Sequence, residues 1–269
     1  MKTSIFVPLL ILFLAVNLYP QETAPQTTEP PTNTLEKELM VPYSPFSLHK
    51  MNYIVFGNPD DQVKAQFGFK YEVFKESELF LAYSQSIFWD LYSTSSPILE
   101  VNLSPELFWN YGDNAHYVRL GFYEHKSNGR DGPTSRAWDR SYVQFQTSFG
   151  DSVNVGANVK GFYMWKIADE NHDIEDYTGY YEAEIFLRFL KPGPLRLTDK
   201  EEIYIRGGTG KGNYGFDYTK GWLEAGVKFR MVFKTIQPDL FIQLFYGYGE
   251  SLVAYNKEDF TVRAGFILR

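Results

Sequence analysis

Hydrophobic and polar residues alternate with a period of two along most of the chain beyond residue 50. In residues 260–268, one face carries Phe260, Val262, Ala264, Phe266 and Leu268. Residues 79–89, 222–232 and 239–248 alternate in the same way. Because successive side chains of a β-strand point to opposite faces, this period predicts strands rather than helices.

The alternating segments are about 10–15 residues long, beyond the ~5–6 residues of an ordinary globular strand. A tilted membrane-spanning strand needs ~9–11 residues. We expect about twelve strands, starting near residues 52, 62, 77, 99, 115, 138, 152, 177, 201, 215, 238 and 259. Polar residues on strand faces, such as Lys228, Gln243 and Arg263, suit a polar lumen. The predicted fold is therefore all-β, a twelve-stranded antiparallel transmembrane β-barrel. A secreted β-sandwich or a soluble barrel is the alternative, and the chain ends on Arg269 where many outer-membrane proteins carry an aromatic residue.

The first 40 residues differ in composition from the alternating region. Lys2 precedes an almost unbroken apolar run from Ile5 to Leu18. This run is shorter than the ~20 residues of a spanning helix, so we expect a signal peptide over residues 1–21, with an uncleaved start anchor as the alternative. Residues 22–40 are rich in Pro, Thr and Glu and predict a disordered linker. The barrel domain is expected over residues 41–269, exported and spanning the membrane with strands.

Composition excludes several classes of function. The formal net charge of -7 argues against a nucleic-acid partner, which normally requires a basic face. The sequence has no cysteine, so disulfides, thiolate catalysis and cysteine-based zinc sites are ruled out.

The segment that carries candidate chemistry is GFYEHKSNGRDGPTSRAWDRSY, residues 121–142. His125 and Ser127 are two residues apart at a strand end, so their side chains share one face, with Cα atoms about 6.5–7 Å apart. A serine needs a base to take its proton, and the base needs a third group to orient it. Asp139 is placed for that role if the two strands pair as a hairpin. A His-x-Ser pair alone is more often structural. The polar loop and the carboxylate that follow His125 and Ser127 favour a catalytic role for this pair.

The same segment resembles the signature of the outer-membrane phospholipase A family of Gram-negative bacteria. That signature runs roughly H-D-S-N-G-R and then, after a short step, P-T-S-R-S-W-N-R, and residues 125–140 here read HKSNGRDGPTSRAWDR. Further blocks resemble the family at residues 83–89, 95–97, 105–108, 173–181 and 246–256. The resemblance covers about residues 43–269.

The resemblance implies an enzyme with its site on the outer wall of the barrel. It implies a calcium-dependent serine hydrolase in the outer membrane that cleaves acyl esters of phospholipids and lysophospholipids and is active as a homodimer. By position, Ser127 is the nucleophile, His125 the general base, Asp139 the third triad member and Gly129 the oxyanion donor. The family usually has Asn where Asp139 stands here, and a carboxylate also accepts a hydrogen bond from the imidazole Nδ1–H.

The resemblance also implies a set of calcium ligands made of oxygen atoms, as Ca²⁺ prefers. They are the carbonyl of Arg130, the hydroxyl of Ser135 and, across the dimer, the hydroxyl of Ser95, with Asp173 as a further ligand. Ser96 is an open alternative to Ser95. Gln85 matches the polar residue of the family's dimer interface. The family typically has its acidic residue directly before the proline, whereas the loop here reads Arg130-Asp131-Gly132-Pro133, so a carboxylate ligand has either moved by one position or been lost.

Two other functions fit the composition. A non-catalytic, porin-like channel would show the same alternation, but it has no use for a His125–Ser127–Asp139 constellation on its outer wall. A soluble secreted lipase on a sandwich fold would have the same three residues but would not be found in membrane fractions.

Overall fold

The computed structural model describes residues 43–58, 62–191, 200–212, 215–231 and 238–268. The predicted signal peptide and linker, residues 1–21 and 22–40, lie outside the described residues. The strands belong to one compact unit, Ser44–Arg269.

Within the described ranges, thirteen strands account for most of this unit. They are β1 (Phe46–Leu48), β2 (Asn52–Phe56), β3 (Val63–Glu72), β4 (Leu79–Trp89), β5 (Ile98–Gly112), β6 (Tyr117–Ser127), β7 (Ala137–Phe149), β8 (Val153–Ile167), β9 (Tyr181–Phe189), β10 (Glu201–Gly210), β11 (Asp217–Arg230), β12 (Asp239–Gly247) and β13 (Asp259–Leu268). From β2 to β13 each strand pairs antiparallel with the next, and β13 pairs with β2. The twelve-stranded antiparallel barrel predicted from the sequence is confirmed.

Two local features depart from the expected strand pattern. The first barrel strand is interrupted at Lys50, whose φ of 59° breaks the extended backbone, so that β1 and β2 pair with successive parts of β3. β9 begins at Tyr181 rather than near residue 177, because Glu175–Thr178 forms a helical turn, α1. Among the described residues, no helix is long and apolar enough to cross a membrane.

Alternation along the strands separates an outer face from a lumen. In β13, Phe260 and Phe266 are exposed on the outer face, while Thr261 and Arg263 are buried on the other. The lumen is filled rather than open, because large side chains from several strands meet inside it. They include Tyr53, Phe108, Phe186, Tyr204 and Phe241.

Ion pairs complete the filling of the lumen. The Glu124 carboxylate of β6 forms ion pairs with Arg140 Nε at 2.8 Å and with Lys160 Nζ at 3.0 Å. A second cluster joins Glu250 to Lys64 at 3.0 Å and to Arg263 at 2.6 Å. Buried charges require such partners because an unpaired ion in a low-dielectric interior is costly.

The antiparallel order places the connections 90–97, 128–136, 168–180 and 248–258 at one rim of the barrel. The shorter connections 73–78, 113–116 and 150–152 lie at the opposite rim. The segment with the candidate catalytic residues therefore lies at the same rim as the connections 90–97, 168–180 and 248–258.

Candidate active site

A β-bulge turns the candidate catalytic residues to the outside of the barrel. In β6, Arg119 and Gly121 have the same sequence parity as His125 and Ser127, and Arg119 reaches the lumenal ring of Phe108 at 4.3 Å. The pairing of β6 with both β5 and β7 shifts by one residue between Gly121 and Glu124. The extra residue reverses the alternation, as bulges do near active sites.

Beyond the bulge, Glu124 faces the lumen and His125 faces outward. The imidazole is partly accessible, with 29% of the side chain exposed. Ser127 follows on the same face, as the period of two predicts. Phe122 and Tyr123 are both exposed, as expected for the two neighbouring residues of a bulge on the outer wall.

Asp139 and His125 form a direct cross-strand pair. The strand register places them opposite each other, and His125 Nδ1 lies 2.6 Å from Asp139 Oδ1. An ionised carboxylate is only an acceptor, so Nδ1 carries the proton and Nε2 is left available. This is the orientation in which an imidazole serves as a base toward a neighbouring hydroxyl.

The Ser127 hydroxyl is uncommitted. In the part of the chain that the structure describes, it makes no hydrogen bond, and its strand neighbours are Leu103 on β5 and Ala137 on β7. Hydrogen bonds between a nucleophile and its base are often long without substrate and tighten in the substrate complex. The two side chains share the outer face and neither His125 Nε2 nor the Ser127 hydroxyl has another hydrogen-bond partner among the described residues, so activation of Ser127 by His125 stays a prediction.

The loop after Ser127 is built around Asn128, which is buried. Its side-chain Oδ1 accepts from the amides of Arg130 at 3.3 Å and Arg136 at 3.0 Å, and its Nδ2 donates to the Thr134 carbonyl at 2.7 Å. One amide side chain thus closes both ends of the loop. Asn128 could have been singled out from the sequence, because it directly follows the candidate nucleophile. Its role in closing the loop has no signal in the sequence.

Gly129 has a left-handed conformation, with φ of 61°. A Cβ there would meet nothing closer than Leu103 Cδ1 at 4.0 Å, so the conformation rather than lack of space favours glycine. Its amide makes no hydrogen bond among the described residues. It remains available as the oxyanion donor that the sequence predicts, two residues after Ser127.

The predicted calcium ligands Arg130 and Ser135 lie in this same loop. Within the described ranges, no hydrogen bond engages the Arg130 carbonyl or the Ser135 hydroxyl. The Arg130 guanidinium donates to the Leu99 carbonyl and so fastens the loop to the start of β5. No group of three or more acidic or histidine side chains suited to a metal occurs in the described residues. A carbonyl and a hydroxyl are nevertheless donors of the type that Ca²⁺ accepts, so the residues fit the predicted ion.

Ser95 and Ser96 differ in availability. Ser96 has a φ of 43°, and its hydroxyl lies 3.0 Å from the Leu91 carbonyl and 3.2 Å from the Ser93 carbonyl. Ser95 is exposed, and its hydroxyl makes no hydrogen bond in the described part of the chain. The internal hydrogen bonds of Ser96 favour Ser95 as the residue that is free to bind an ion.

Asp173 is held by other contacts. Its Oδ1 accepts a hydrogen bond from the Tyr255 hydroxyl, and the Arg136 guanidinium lies 5.7 Å from the Tyr255 ring centroid. Burial, followed by the hydrogen bond to Asp173, raises the pKa of Tyr255, which therefore stays a donor. No hydrogen bond or ion pair joins Asp173 to Arg130 or Ser135 among the described residues. Its role as a calcium ligand remains a prediction.

Gln85 lies on the outer wall in line with the nucleophile. The strand registers place Gln85 of β4 opposite Leu103 of β5, and Leu103 opposite Ser127 of β6. Gln85 is buried, and its Oε1 accepts from the Tyr83 hydroxyl at 2.8 Å. The predicted interface residue and the predicted nucleophile therefore share one face of the barrel.

Two residues beside the His125–Asp139 pair were not among the sequence candidates. The Tyr123 hydroxyl lies 3.3 Å from Asp139 Oδ1, and Lys166 Nζ lies 4.0 Å from Asp139 Oδ2. Tyr123 could have been found, since it precedes His125 by two residues. Lys166 had no signal, because its position opposite Asp139 depends on the register between β7 and β8.

Known proteins share both the sequence and the fold. The phospholipase A1 family model matches residues 56–268. This chain belongs to the phospholipase A1 family. Among the curated members, Phospholipase A1 of Escherichia coli K12 is 31% identical over 222 residues, which cover 77% of this chain and 70% of the relative. Phospholipase A1 of Salmonella typhimurium is 29% identical over 259 residues, which cover 84% of this chain and 82% of the relative.

Solved structures of phospholipase A1 relatives superpose on this barrel. Outer membrane phospholipase A from Escherichia coli has a TM-score of 0.64 at 26% identity, over 82% of this chain and 93% of that one. The outer membrane phospholipase of Salmonella typhi, solved as a dimer with bound calcium, has a TM-score of 0.65 at 27% identity, over 85% and 94%. Family membership makes the chain an enzyme, and the barrel fits an outer-membrane location.

Proposed function

We propose that this chain is a calcium-dependent serine hydrolase that cleaves acyl ester bonds of phospholipids and lysophospholipids and acts as a homodimer in the outer membrane. The observation that carries the proposal is the His125–Asp139 pair at 2.6 Å, which lies beside the uncommitted Ser127 on the outer wall. A lipid ester in the bilayer meets that wall directly. The calcium-bound dimer of the Salmonella typhi relative supports the ion and the assembly.

The residues can perform the reaction as follows. Ser127 Oγ attacks the ester carbonyl while His125 Nε2 takes its proton, and Asp139 stabilises the imidazolium that forms. The Gly129 amide donates to the oxyanion of the tetrahedral intermediate. The imidazolium then gives its proton to the leaving alcohol oxygen. Water, deprotonated by His125, releases the fatty acid and restores Ser127.

The loop and the dimer interface would hold the calcium ion. The Arg130 carbonyl and the Ser135 hydroxyl would bind it in one subunit, and the Ser95 hydroxyl would come from the other, with Asp173 as a further candidate ligand. A bound calcium ion supplies stabilisation of the negative charge that develops on the ester oxygen. Because ligands would come from both subunits, ion binding and dimerisation would support each other, and Gln85 would lie at the interface.

The filled lumen weighs against a porin-like channel. A porin needs a water-filled passage. In the described residues, Phe108, Phe186 and Phe241 are almost fully buried inside the barrel, and ion pairs occupy the space between the aromatic side chains.

The decisive experiment measures phospholipid hydrolysis in detergent micelles by the wild type and by Ser127→Ala. We expect the variant to lose at least about 10³-fold in kcat, because no other group can form the acyl-enzyme. Ser148→Ala is the matched control, since Ser148 lies on the same strand as Asp139 but near the end of β7 at the opposite rim. Excess chelator should remove wild-type activity, and added Ca²⁺ should restore it. Unchanged turnover by Ser127→Ala would refute the nucleophile, and full activity in chelator would refute the metal.

A further inference from the structure

A carboxylate at position 139 presents a problem that an amide would not. Asp139 is nearly buried in a wall whose neighbouring side chains are largely apolar or aromatic. Removing a carboxylate from water is costly unless hydrogen bonds and an opposite charge offset the loss. His125 supplies one hydrogen bond, but as the base of the reaction it is neutral before the proton transfer.

A second β-bulge brings a cation to this carboxylate. In β8, Lys160 reaches Glu124 in the lumen and Met164 is buried in the core, so the even-numbered residues face inward. The register with β7 shifts by one residue between Asp139 and Arg140, so that Asp139 lies opposite Lys166 and Arg140 opposite Met164. The extra residue in β8 turns Lys166 outward. Without the bulge its alternation would direct it into the lumen.

The two bulges converge on the same carboxylate. The bulge in β6 places Tyr123 and His125 on the outer wall, and the bulge in β8 places Lys166 there. Tyr123 and His125 approach one carboxylate oxygen, Oδ1, and Lys166 approaches the other at 4.0 Å. The nearby lumenal cation Arg140 is not available for this purpose, because it is bound to Glu124 and Glu182.

We propose that Lys166 and Tyr123 are positioning residues, which offset the charge of the Asp139 carboxylate and hold it against His125. This inference rests on the proposed function. Lys166 acts through Asp139, and 73% of its side chain is exposed, so its ammonium keeps its own hydration. Tyr123 acts through Oδ1, where its hydroxyl fixes the rotation of the carboxyl group. Asp139 is thereby accommodated at a position where the family usually has an uncharged residue.

The test is a double-mutant cycle between Lys166→Met and Asp139→Asn, with steady-state kinetics on a micellar phospholipid in saturating Ca²⁺. An exposed ion pair is worth little, so we expect Lys166→Met to lower kcat about threefold to fivefold in the Asp139 protein. In the Asp139→Asn protein it should change kcat by less than about twofold, since no charge remains to be offset. Lys166→Arg should restore most of the loss. Lys75→Met, an exposed lysine at the other rim, is the control and should have no effect.

Two results would overturn the role of Lys166. Equal losses in the wild-type and Asp139→Asn backgrounds would show that Lys166 does not act through the carboxylate. A higher KM with unchanged kcat would show instead that Lys166 contacts the lipid. For Tyr123, the Tyr123→Phe variant should lower kcat about threefold, as expected for loss of one net hydrogen bond. Unchanged kcat in that variant would remove Tyr123 from the proposal.

These outcomes are separate from a failure of the proposed function. If Ser127→Ala keeps full activity, the mechanism itself is wrong. If Ser127→Ala is inactive while Lys166→Met equals the wild type in every background, only the positioning role is wrong.

Discussion

The two faces of β6 and β7 use charged residues in opposite ways. Toward the lumen, Glu124 is bound by Arg140 at 2.8 Å, Lys160 at 3.0 Å and Lys50 at 3.3 Å. Toward the outside, Asp139 has the His125 ring at 2.6 Å and one exposed lysine at 4.0 Å. The two carboxylates are on neighbouring strands, near the same rim.

The difference distinguishes stability from catalysis. Three cations pair with Glu124, so its charge is neutralised inside the lumen, where these ion pairs hold neighbouring strands together. Asp139 has fewer partners among the described residues, so in the proposed reaction its charge would be available to the imidazolium of His125. A carboxylate that acts in a reaction needs room for a new cationic partner, whereas one that stabilises the fold is already paired with several cations. The comparison can be tested by removing residues from each face in turn.

The largest effect is expected on the outer face, from His125→Ala. We expect kcat to fall about 10³- to 10⁴-fold or more, because Ser127 loses its base. His49 is the matched control: it is buried in the lumen and lies 2.9 Å from Glu106. His49→Ala should destabilise the barrel by about 1–3 kcal/mol, as expected when a buried partner is left unsatisfied. Activity and denaturant unfolding in lipid vesicles are measured for both. Loss of stability in His125→Ala with little loss of kcat would contradict the comparison.

The next effect is on stability and comes from the lumen. Arg140→Met removes one of the three cations at Glu124 and a cation paired with Glu182, so the loss of stability should lie at or below the lower end of the about 3–5 kcal/mol that breaking a buried ion pair costs. Arg188→Met is the control, because its pair with Glu202 at 2.7 Å is 38% exposed on the arginine side and should contribute less than about 1 kcal/mol. Denaturant unfolding in vesicles gives both values. A catalytic defect in folded Arg140→Met with unchanged stability would place this arginine among the catalytic groups instead.

The strand pattern could be predicted from the sequence because it depends on local alternation. Counted from β2 to β13, eleven of the twelve predicted strand starts lie within two residues of the observed ones, and the exception, β9, follows the helical turn α1. The pairing of His125 with Asp139 was also accessible, since a hairpin joins β6 to β7. Local periodicity and a short connection were sufficient for both.

The family resemblance implied a site on the outer wall, but the alternation of residues could not predict that direction, because it depends on bulges. Uninterrupted alternation from Arg119 would send His125 and Ser127 into the lumen, and the extra residue near Phe122 sends them outward. The same applies to Lys166 in β8. Nothing in the local hydrophobic pattern marks these insertions, because Phe122, Tyr123 and Trp165 suit an outer wall in either register. Only the pairing with neighbouring strands defines them.

The smallest effect, and the sharpest test of the outer face, is expected from Asp139→Asn. The two oxygens of Asp139 differ in their partners among the described residues: Oδ1 faces the donors His125 and Tyr123, and Oδ2 faces only the distant Lys166. An asparagine should therefore place its carbonyl oxygen at the Oδ1 position, where two donors meet, and keep the imidazole in the same tautomer. We expect kcat to remain within about tenfold of the wild type, because the geometry survives while the charge that stabilises the imidazolium is lost. Tyr123→Phe should be more harmful in this background, since one of the two donors that orient the amide is gone. A loss near 10⁴-fold in Asp139→Asn alone would mean that the amide turns its NH₂ toward His125 and reverses the tautomer.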